Sequence, residues 1–270
     1  MRSFLAVYGG LAVLGPLLAA CQRRWPAPEG VPSPWHRGRW VDWAFWLITP
    51  LFTGVLTLVV TLWLAIGIAS VAGLPVCSGS GLATRCVPLT LFEGAAARWP
   101  IAVQAVLVLL LVDLLSYVSH RVRHLRPFWR FHALHHAPVE LDWLAAARLH
   151  PVDDLLDNTF VMLPVLLLGF DHRLFLALWP ALLLHTLYLH AAVDWRLGAW
   201  GRWVASPAFH RAHHAVGVEG NYGGILVVWD RLFGTRVAPP AYARLGVGPS
   251  GAVEAGGGEG VEPLRRAGVP

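Results

Sequence analysis

The feature that most limits how this chain can fold is a long, almost purely apolar run at residues 43–73. A helix needs about 20 consecutive apolar residues to cross a bilayer, and this run is longer. Further apolar runs occupy 3–20, 98–118, 155–170 and 174–193. Hydrophobic residues make up 56% of the chain and charged residues only 14%, which is too apolar for an ordinary soluble domain. We predict an all-α, polytopic membrane protein.

The basic residues, all of them arginine, indicate how the runs are oriented. They concentrate at 21–40, 120–130 and 194–203, and these segments lie on one side if the five runs alternate across the membrane. Because cytoplasmic loops carry excess positive charge, that side is predicted to be cytoplasmic. The net charge of +5 therefore reflects topology, and no nucleic-acid partner is predicted. Cys77 and Cys86 would then face outward, where a disulfide could persist.

Several details of this topology stay open. The run at 43–73 is long enough to tilt or to be interrupted near Pro50, and the short run at 155–170 contains Pro164, so it could enter the membrane and return. Cys21 ends the sequence LLAAC, which resembles a lipoprotein cleavage box. We favour an unmodified membrane helix there, because an embedded chain needs no lipid anchor.

The chain divides into three predicted parts. N-terminal membrane helices and an outer loop occupy 1–97, and a histidine-bearing domain with further membrane helices occupies 98–240. The tail at 241–270 is rich in Gly and Pro and is predicted to be disordered.

Histidines form repeated short motifs at the predicted cytoplasmic face. The chain has 13 of them, grouped as HRVRH at 120–124, HALHH at 132–136 and HRAHH at 210–214, with His190 at the end of the last apolar run. Spacings of three and four residues put side chains on one face of a helix. Neutral imidazole binds Fe, Zn, Cu and Ni, and this many imidazoles exceeds the four ligands of a closed zinc site. The pattern predicts a histidine-rich helical cap that holds two metal ions.

The order and spacing of these motifs resemble the fatty acid hydroxylase and sterol desaturase superfamily. The likeness spans about 105–236 and rests on HRVRH, FWRFHALHH, RLHP, HAAV, SPAFHRAHH and NYGGILVVWDRLFGT. It implies two non-haem iron ions that use O2 as co-substrate to hydroxylate or desaturate a fatty acyl, sterol or isoprenoid C–H bond. The metal ligands that it implies are His120, His124, His132, His135, His136, His190, His210, His213 and His214.

The resemblance also implies partners. No flavin or iron–sulfur motif is found in the sequence, so electrons must come from an external ferredoxin, cytochrome or flavin reductase. The lipid substrate would lie within the membrane, where apolar helices with interfacial Trp residues can hold a long chain.

Four further residues are candidates for supporting the metal centre. His185 is either another ligand or a buried hydrogen-bonding group, and His150 in RLHP is more often a supporting group than a ligand. Asp113 and Tyr117 share a helix face with His120, where a carboxylate typically orients a ligating imidazole. The alternative for Asp113 is an ion pair with an arginine of a neighbouring helix.

The chain departs from the family pattern at two positions. Asp153 stands where many relatives carry Glu, and Ala192 replaces the Asn of a commoner His–small–Asn motif, so any hydrogen bond of that amide is absent. Asp230 and Arg231, after the last histidine motif, are predicted to have structural roles.

Three other functions compete with the oxygenase. A membrane zinc hydrolase would use the same histidines. A metal transporter would need polar ligands along a path through the bilayer, and a haem carrier would pair histidines within facing membrane helices. The histidine motifs instead crowd one surface, and a haem carrier would leave both HxxHH motifs unexplained.

Overall fold

The computed structural model describes residues 2–33, 37–72, 95–239 and 244–247, where the chain is helical and forms no β-strand. The α-helices are α1 (Arg2–Arg24), α2 (Arg37–Ile48), α3 (Gly54–Val71), α4 (Ile101–Arg123), α5 (Arg126–His136), α6 (Pro151–Leu167), α7 (His172–His190), α8 (Pro207–His213) and α9 (Val228–Leu232). Short 3-10 turns lie at Ala95–Arg98, Trp143–Ala147 and Gly198–Arg202. The predicted all-α fold is confirmed.

Two helical segments in the described part of the chain are long and apolar enough to cross a membrane. The first is Gly38–Val71, of 34 residues, in which α2 and α3 are joined without a break. The second is α4, whose 23 residues extend about 35 Å, more than the roughly 30 Å of a hydrocarbon core. These two helices support the membrane assignment.

A π-helical turn at Thr49–Thr53 joins α2 to α3. Pro50 explains it, because proline has no N–H to donate and its ring clashes with the carbonyl one turn earlier. A wider turn absorbs this disruption and lets the helix continue. The chain is therefore not broken at Pro50.

Small residues let α3 pack closely on α6. Thr57, Thr61, Ala65 and Ala69 recur every four residues on one face of α3, and all four are buried. Thr61 Oγ1 lies 3.0 Å from Thr159 Oγ1 of α6, a hydrogen bond that joins the two helices. Close backbone approach through small residues is typical of helix packing in membranes.

The other three apolar runs are also helical. Helix α6 has 17 residues, or about 25 Å, and α7 has 19, or about 28 Å. Pro164 lies within α6 and Pro180 within α7. Among the described residues only Gly38–Val71 and α4 are both long and apolar enough to span, so five crossings and a cytoplasmic cap stay predictions.

Two earlier expectations fall on or near undescribed residues. Cys77 and Cys86 lie outside the described residues, whereas Cys21 is a free thiol in α1. Of the predicted tail, residues 244–247 are described, and Leu245 is buried against Leu141 and Ala145. The division of the chain into three parts stays a prediction.

Candidate metal centre

All nine histidines predicted as ligands come together in two neighbouring groups. The five-histidine group contains His120, His124, His132, His136 and His213, and the four-histidine group contains His135, His190, His210 and His214. Within each group, one nitrogen per ring lies within 4.8 Å of all the others. The groups touch where the rings of His136 and His214 stack, with centroids 4.4 Å apart.

Helical periodicity explains how one HxxHH motif serves both groups. In α5, His132 and His136 are one turn apart and join the five-histidine group, while His135 points to the four-histidine group. Successive residues of an α-helix diverge by about 100°, so neighbours such as His135 and His136 must face different directions. At the end of α8 the assignment is reversed: His210 and His214 join the four-histidine group and His213 the other.

Hydrogen bonds fix the ring orientation in the five-histidine group. The Nδ1 atoms of His120 and His213 lie 3.0 Å and 2.8 Å from the carbonyl oxygens of Tyr222 and Gly220, and His132 Nδ1 lies 3.0 Å from Asp153 Oδ2. Carbonyl and carboxylate oxygens only accept, so each Nδ1 carries the proton and each Nε2 presents a lone pair. Arg123 Nη1, which is 3.2 Å from His132 Nδ1, donates to the same Asp153 oxygen at 3.0 Å. All five Nε2 atoms of this group are buried and hydrogen-bond to no described residue. Such an arrangement suits a cation.

The four-histidine group brings its nitrogen atoms even closer. His135 Nδ1 lies 3.3 Å from the Arg148 carbonyl oxygen, and His190 Nδ1 lies 2.9 Å from that of Thr186. Their Nε2 atoms are therefore unprotonated, yet they face each other at 3.3 Å. A positive ion between two such lone pairs relieves the repulsion, and the donor set fits a transition metal.

His210 and His214 complete the four-histidine group. His210 Nε2 lies 3.1 Å from His190 Nε2 and 3.2 Å from His214 Nε2. The Nδ1 atoms of His210 and His214 are buried and hydrogen-bond to no described residue.

Burial keeps the imidazoles neutral. Loss of hydration lowers the pKa of His213 to about 4, and lowers the pKa of His124, His135 and His214 well below 6.5, with neighbouring histidines adding to the effect. A metal ligand must be the neutral ring, so these lowered pKa values favour metal binding at neutral pH.

Asp113 and Tyr117 support the centre differently from the prediction. Asp113 accepts hydrogen bonds from the backbone N–H of Ile225 and Leu226, at 2.7 and 3.0 Å, and from Trp229 Nε1 at 2.8 Å. The expected hydrogen bond from Asp113 to an imidazole is therefore wrong. Asp113 instead holds residues 225–226, which follow Tyr222, and the carbonyl of Tyr222 holds His120. The alternative, an ion pair between Asp113 and an arginine, is corrected as well, because these three donors occupy its oxygens.

Tyr117 also contacts this segment. Its hydroxyl lies 3.0 Å from Thr235 Oγ1, and its ring stacks on Phe233 with centroids 5.4 Å apart. Its contribution to the metal centre is therefore indirect.

His185 and His150 lie outside both groups. His185 Nε2 is 3.0 Å from the Gly224 carbonyl oxygen, so the hydrogen-bonding alternative describes it. His150 caps α6, because its Nδ1 accepts from the Val152 N–H at 3.1 Å. That cap places Asp153 in the first turn of α6, facing His132.

Asp230 organises the NYGG turn, as the sequence predicted for a structural role. Its carboxylate accepts from the N–H groups of Tyr222 and Gly223 at 2.9 and 2.7 Å and from Thr235 Oγ1 at 2.7 Å. A Cβ on Gly223 would lie only 2.7 Å from the Leu226 carbonyl oxygen, which explains the need for glycine. This turn supplies the carbonyl of Tyr222 that holds His120, and Gly220 directly before it supplies the carbonyl that holds His213.

Sequence reasoning missed three supporting residues. Asp153, noted only as a departure from the family, accepts from both His132 and Arg123, the latter at 3.0 Å. Arg148 supplies the carbonyl that holds His135 and is itself held by Asp42. The sequence offered one indication, the carboxylate of Asp153 in the first helical turn after His150-Pro151. No comparable pattern indicated Arg148 or Asp42.

Comparisons with known proteins agree with this geometry. The fatty acid hydroxylase family model matches residues 105–235. The chain is 37% identical over 163 residues to the ornithine lipid hydroxylase OlsE of Rhizobium tropici, covering 59% of this chain and 49% of that protein. It is 30% identical over 133 residues to methylsterol monooxygenase 1 of Rattus norvegicus, covering 48% and 45%.

A third relative is alkylglycerol monooxygenase of Caenorhabditis elegans, 29% identical over 145 residues that cover 48% of this chain and 27% of that protein. The chain thus spans about half or less of the length of these relatives. No solved structure matches the chain.

Proposed function

We propose that this protein is a membrane-bound oxygenase that acts on a lipid, because the fatty acid hydroxylase family model matches its histidine-bearing segment, residues 105–235. It uses two non-haem irons and O2 to hydroxylate, or to desaturate, a C–H bond of a fatty acyl, sterol or isoprenoid substrate. Its electrons come from an external ferredoxin, cytochrome or flavin reductase, and its histidines lie at the cytoplasmic face.

One observation carries the proposal: nine imidazoles, all buried except the half-buried His124, converge in two adjacent groups, and the five Nε2 atoms of the five-histidine group have no hydrogen-bond partner among the described residues. Imidazole suits iron as well as zinc, but a group of five exceeds the four ligands of a tetrahedral zinc site. Each group also brings together four or five imidazole nitrogens, whereas a haem iron takes protein ligands only at its two axial positions. A pair of non-haem irons fits this donor set better than the competing cofactors.

Iron bound at the two groups would supply the activation of O2, which protein side chains alone do not provide. The residues contribute position and environment. Tyr222, Gly220 and Asp153 hold protons at Nδ1 of their partner rings and so aim each Nε2 inward. Burial of these rings, of which only His124 is partly exposed, excludes bulk water from the centre and protects reactive species from side reactions.

The position of the centre supports a lipid substrate. His120 lies in the last turn of α4, one of the two described helical segments that are long and apolar enough to span a membrane, so the centre lies at the end of such a helix. By their names, the three relatives act on ornithine lipid, methylsterol and alkylglycerol, all of which have long apolar parts. We extend this substrate class to the present chain.

Isotope labelling tests the proposal. Cells that express the full chain with a compatible electron donor are grown under 18O2, and their lipids are compared by mass spectrometry with those of cells expressing His136→Ala. Hydroxylation predicts lipids that carry one labelled oxygen, and desaturation predicts lipids that lose two hydrogens. Hydroxyl oxygen derived from water, or identical lipids in both cultures, would contradict an oxygenase.

A further inference from the structure

The two histidine groups are supported by different parts of the chain. The five-histidine group is held by Tyr222, Gly220 and Asp153, all within residues 105–235. The four-histidine group relies on the Arg148 carbonyl, which lies 3.3 Å from His135 Nδ1. Arg148 in turn is held by α2, which lies outside the region that the family model matches.

Helix α2 and the π-helical turn fasten the whole 142–148 segment. Their contacts are Arg39 Nη2 to Asp142 Oδ2 at 2.7 Å, Trp46 Nε1 to the Leu144 carbonyl at 2.9 Å, Thr49 Oγ1 to the Ala147 carbonyl at 3.1 Å, and Arg148 Nε to Asp42 Oδ1 at 2.7 Å. Trp46 also packs with Trp143, Leu144 and Leu187 in a shared apolar core. The last residue of this segment is the one that contacts the metal centre.

We propose that Asp42 is a positioning residue for the four-histidine group, acting through Arg148 on His135. The inference rests on the proposed function, because it assumes that this group binds a metal. It further implies that α2, which lies outside residues 105–235, sets the metal affinity of the four-histidine group and not that of the five-histidine group.

The local geometry supports this role. The Arg148 guanidinium donates from Nε to Asp42 and from Nη2 to the Gly38 carbonyl, at 2.7 and 2.8 Å, and is therefore fixed at two points. Asp42 is 1% exposed and Arg148 is 7% exposed, so water cannot replace the missing partner if either is changed. Removing one member of a buried ion pair leaves an uncompensated charge, which the chain relieves by moving.

Movement of Arg148 matters because its carbonyl fixes the tautomer of His135. The Nδ1–H donates to that carbonyl and leaves Nε2 free to bind metal. At 3.3 Å the bond is near the long limit, so a small displacement of the backbone would break it. Loss of such an outer hydrogen-bond partner typically weakens metal binding about 10–100-fold.

Stepwise metal titration tests the proposal without an activity assay. Full-length protein in detergent is stripped of metal and titrated anaerobically with Fe²⁺, and His214→Ala and His136→Ala identify which step belongs to which group. In Asp42→Asn, binding at the four-histidine group is expected to weaken by about 10–100-fold while the five-histidine step is unchanged. The unchanged step shows that the variant is folded.

Two control variants complete the design. Asp153→Asn removes the acceptor of His132 and is expected to weaken only the five-histidine step. Asp194→Asn removes a half-exposed carboxylate that pairs with Arg196 at 2.7 Å, and is expected to leave both steps unchanged.

The outcomes separate the inference from the function on which it rests. Equal weakening of both steps in Asp42→Asn, or no weakening of either, overturns the positioning role alone. A wild-type protein that binds no metal at either group overturns the proposed function and this inference together.

Discussion

The five-histidine and four-histidine groups use the same HxxHH motifs yet are stabilised in different ways. In the first group, carboxylate Asp153 and two carbonyls of residues 220–222 orient the rings. In the second, the orienting groups are the carbonyls of Arg148 and Thr186, and nitrogen lone pairs face each other at 3.3 Å. A negative charge beside a ligating imidazole strengthens it as a donor. We therefore expect the five-histidine group to bind its metal more tightly.

The largest effects should come from two adjacent ligands that serve different groups. His135→Ala is expected to lose metal from the four-histidine group and His136→Ala from the five-histidine group, because each removes an Nε2 donor. Each variant should retain the other metal and lose all activity, an effect beyond the roughly 100-fold of an outer partner. Elemental analysis and an activity assay of both purified variants provide the measurement. Full activity in either variant would contradict the assignment of that histidine as a metal ligand.

Gly220, which leads into the NYGG turn, gives a smaller effect, limited to the five-histidine group. A Cβ at Gly220 would clash with the Thr235 carbonyl oxygen and with Val237 Cγ2, so Gly220→Ala must displace the carbonyl that holds His213. We expect a loss of about 1–3 kcal/mol in unfolding free energy, together with weaker metal binding at that group.

Gly67→Ala is the matched control for that variant, since a Cβ there meets nothing within 4 Å. Thermal unfolding and Fe²⁺ titration of the two variants should differ clearly. Equal behaviour would show that the turn is not needed to orient His213.

A pH series tests the electrostatic account of both groups. Burial lowers the pKa of His213 to about 4 and lowers the pKa of His135 and His214, whereas unfolded histidine titrates near 6.5. Between these values the unfolded chain binds more protons than the folded one, so stability falls as pH falls below about 6.5. Thermal unfolding of the metal-free protein should therefore show a lower Tm at pH 5.5 than at pH 7.5. A higher Tm at pH 5.5 would contradict the burial of neutral rings.

The smallest effect is expected for Tyr117→Phe. This variant loses the hydrogen bond to Thr235 Oγ1 but keeps the ring that stacks on Phe233. The free energy of unfolding should fall by about 1 kcal/mol, and both metal-binding steps should be unchanged. Weakened metal binding in this variant would mean that Tyr117 supports the centre more directly than its contacts indicate.

Much of the metal centre is predictable from the sequence because its ligands follow helical periodicity. Spacings of three and four residues identified the imidazoles of α4, α5 and α8, and the family resemblance added His190. The division between the groups required the structure, since it depends on how α5 and α8 face each other. The apolar runs predicted the helices, and the length of Gly38–Val71 was explained by a π-helical turn at Pro50.

The supporting contacts were not predictable because they join residues far apart in the sequence. Asp113 contacts Ile225, and Arg148 contacts Asp42, across more than 100 residues in both cases. Asp113 was expected to orient an imidazole because it shares a helix face with His120. Its oxygens instead accept hydrogen bonds from residues 225–229, which are distant in the sequence and pack against α4. No local sequence pattern predicts this contact.

The most direct test of the account is the metal content of the full-length protein, purified in detergent and loaded anaerobically with iron. Two histidine groups predict about two irons per chain, without a haem absorption band, and one iron in His135→Ala. Zinc bound at these sites, with iron neither retained nor able to support O2 consumption, would contradict a di-iron oxygenase and favour a hydrolase.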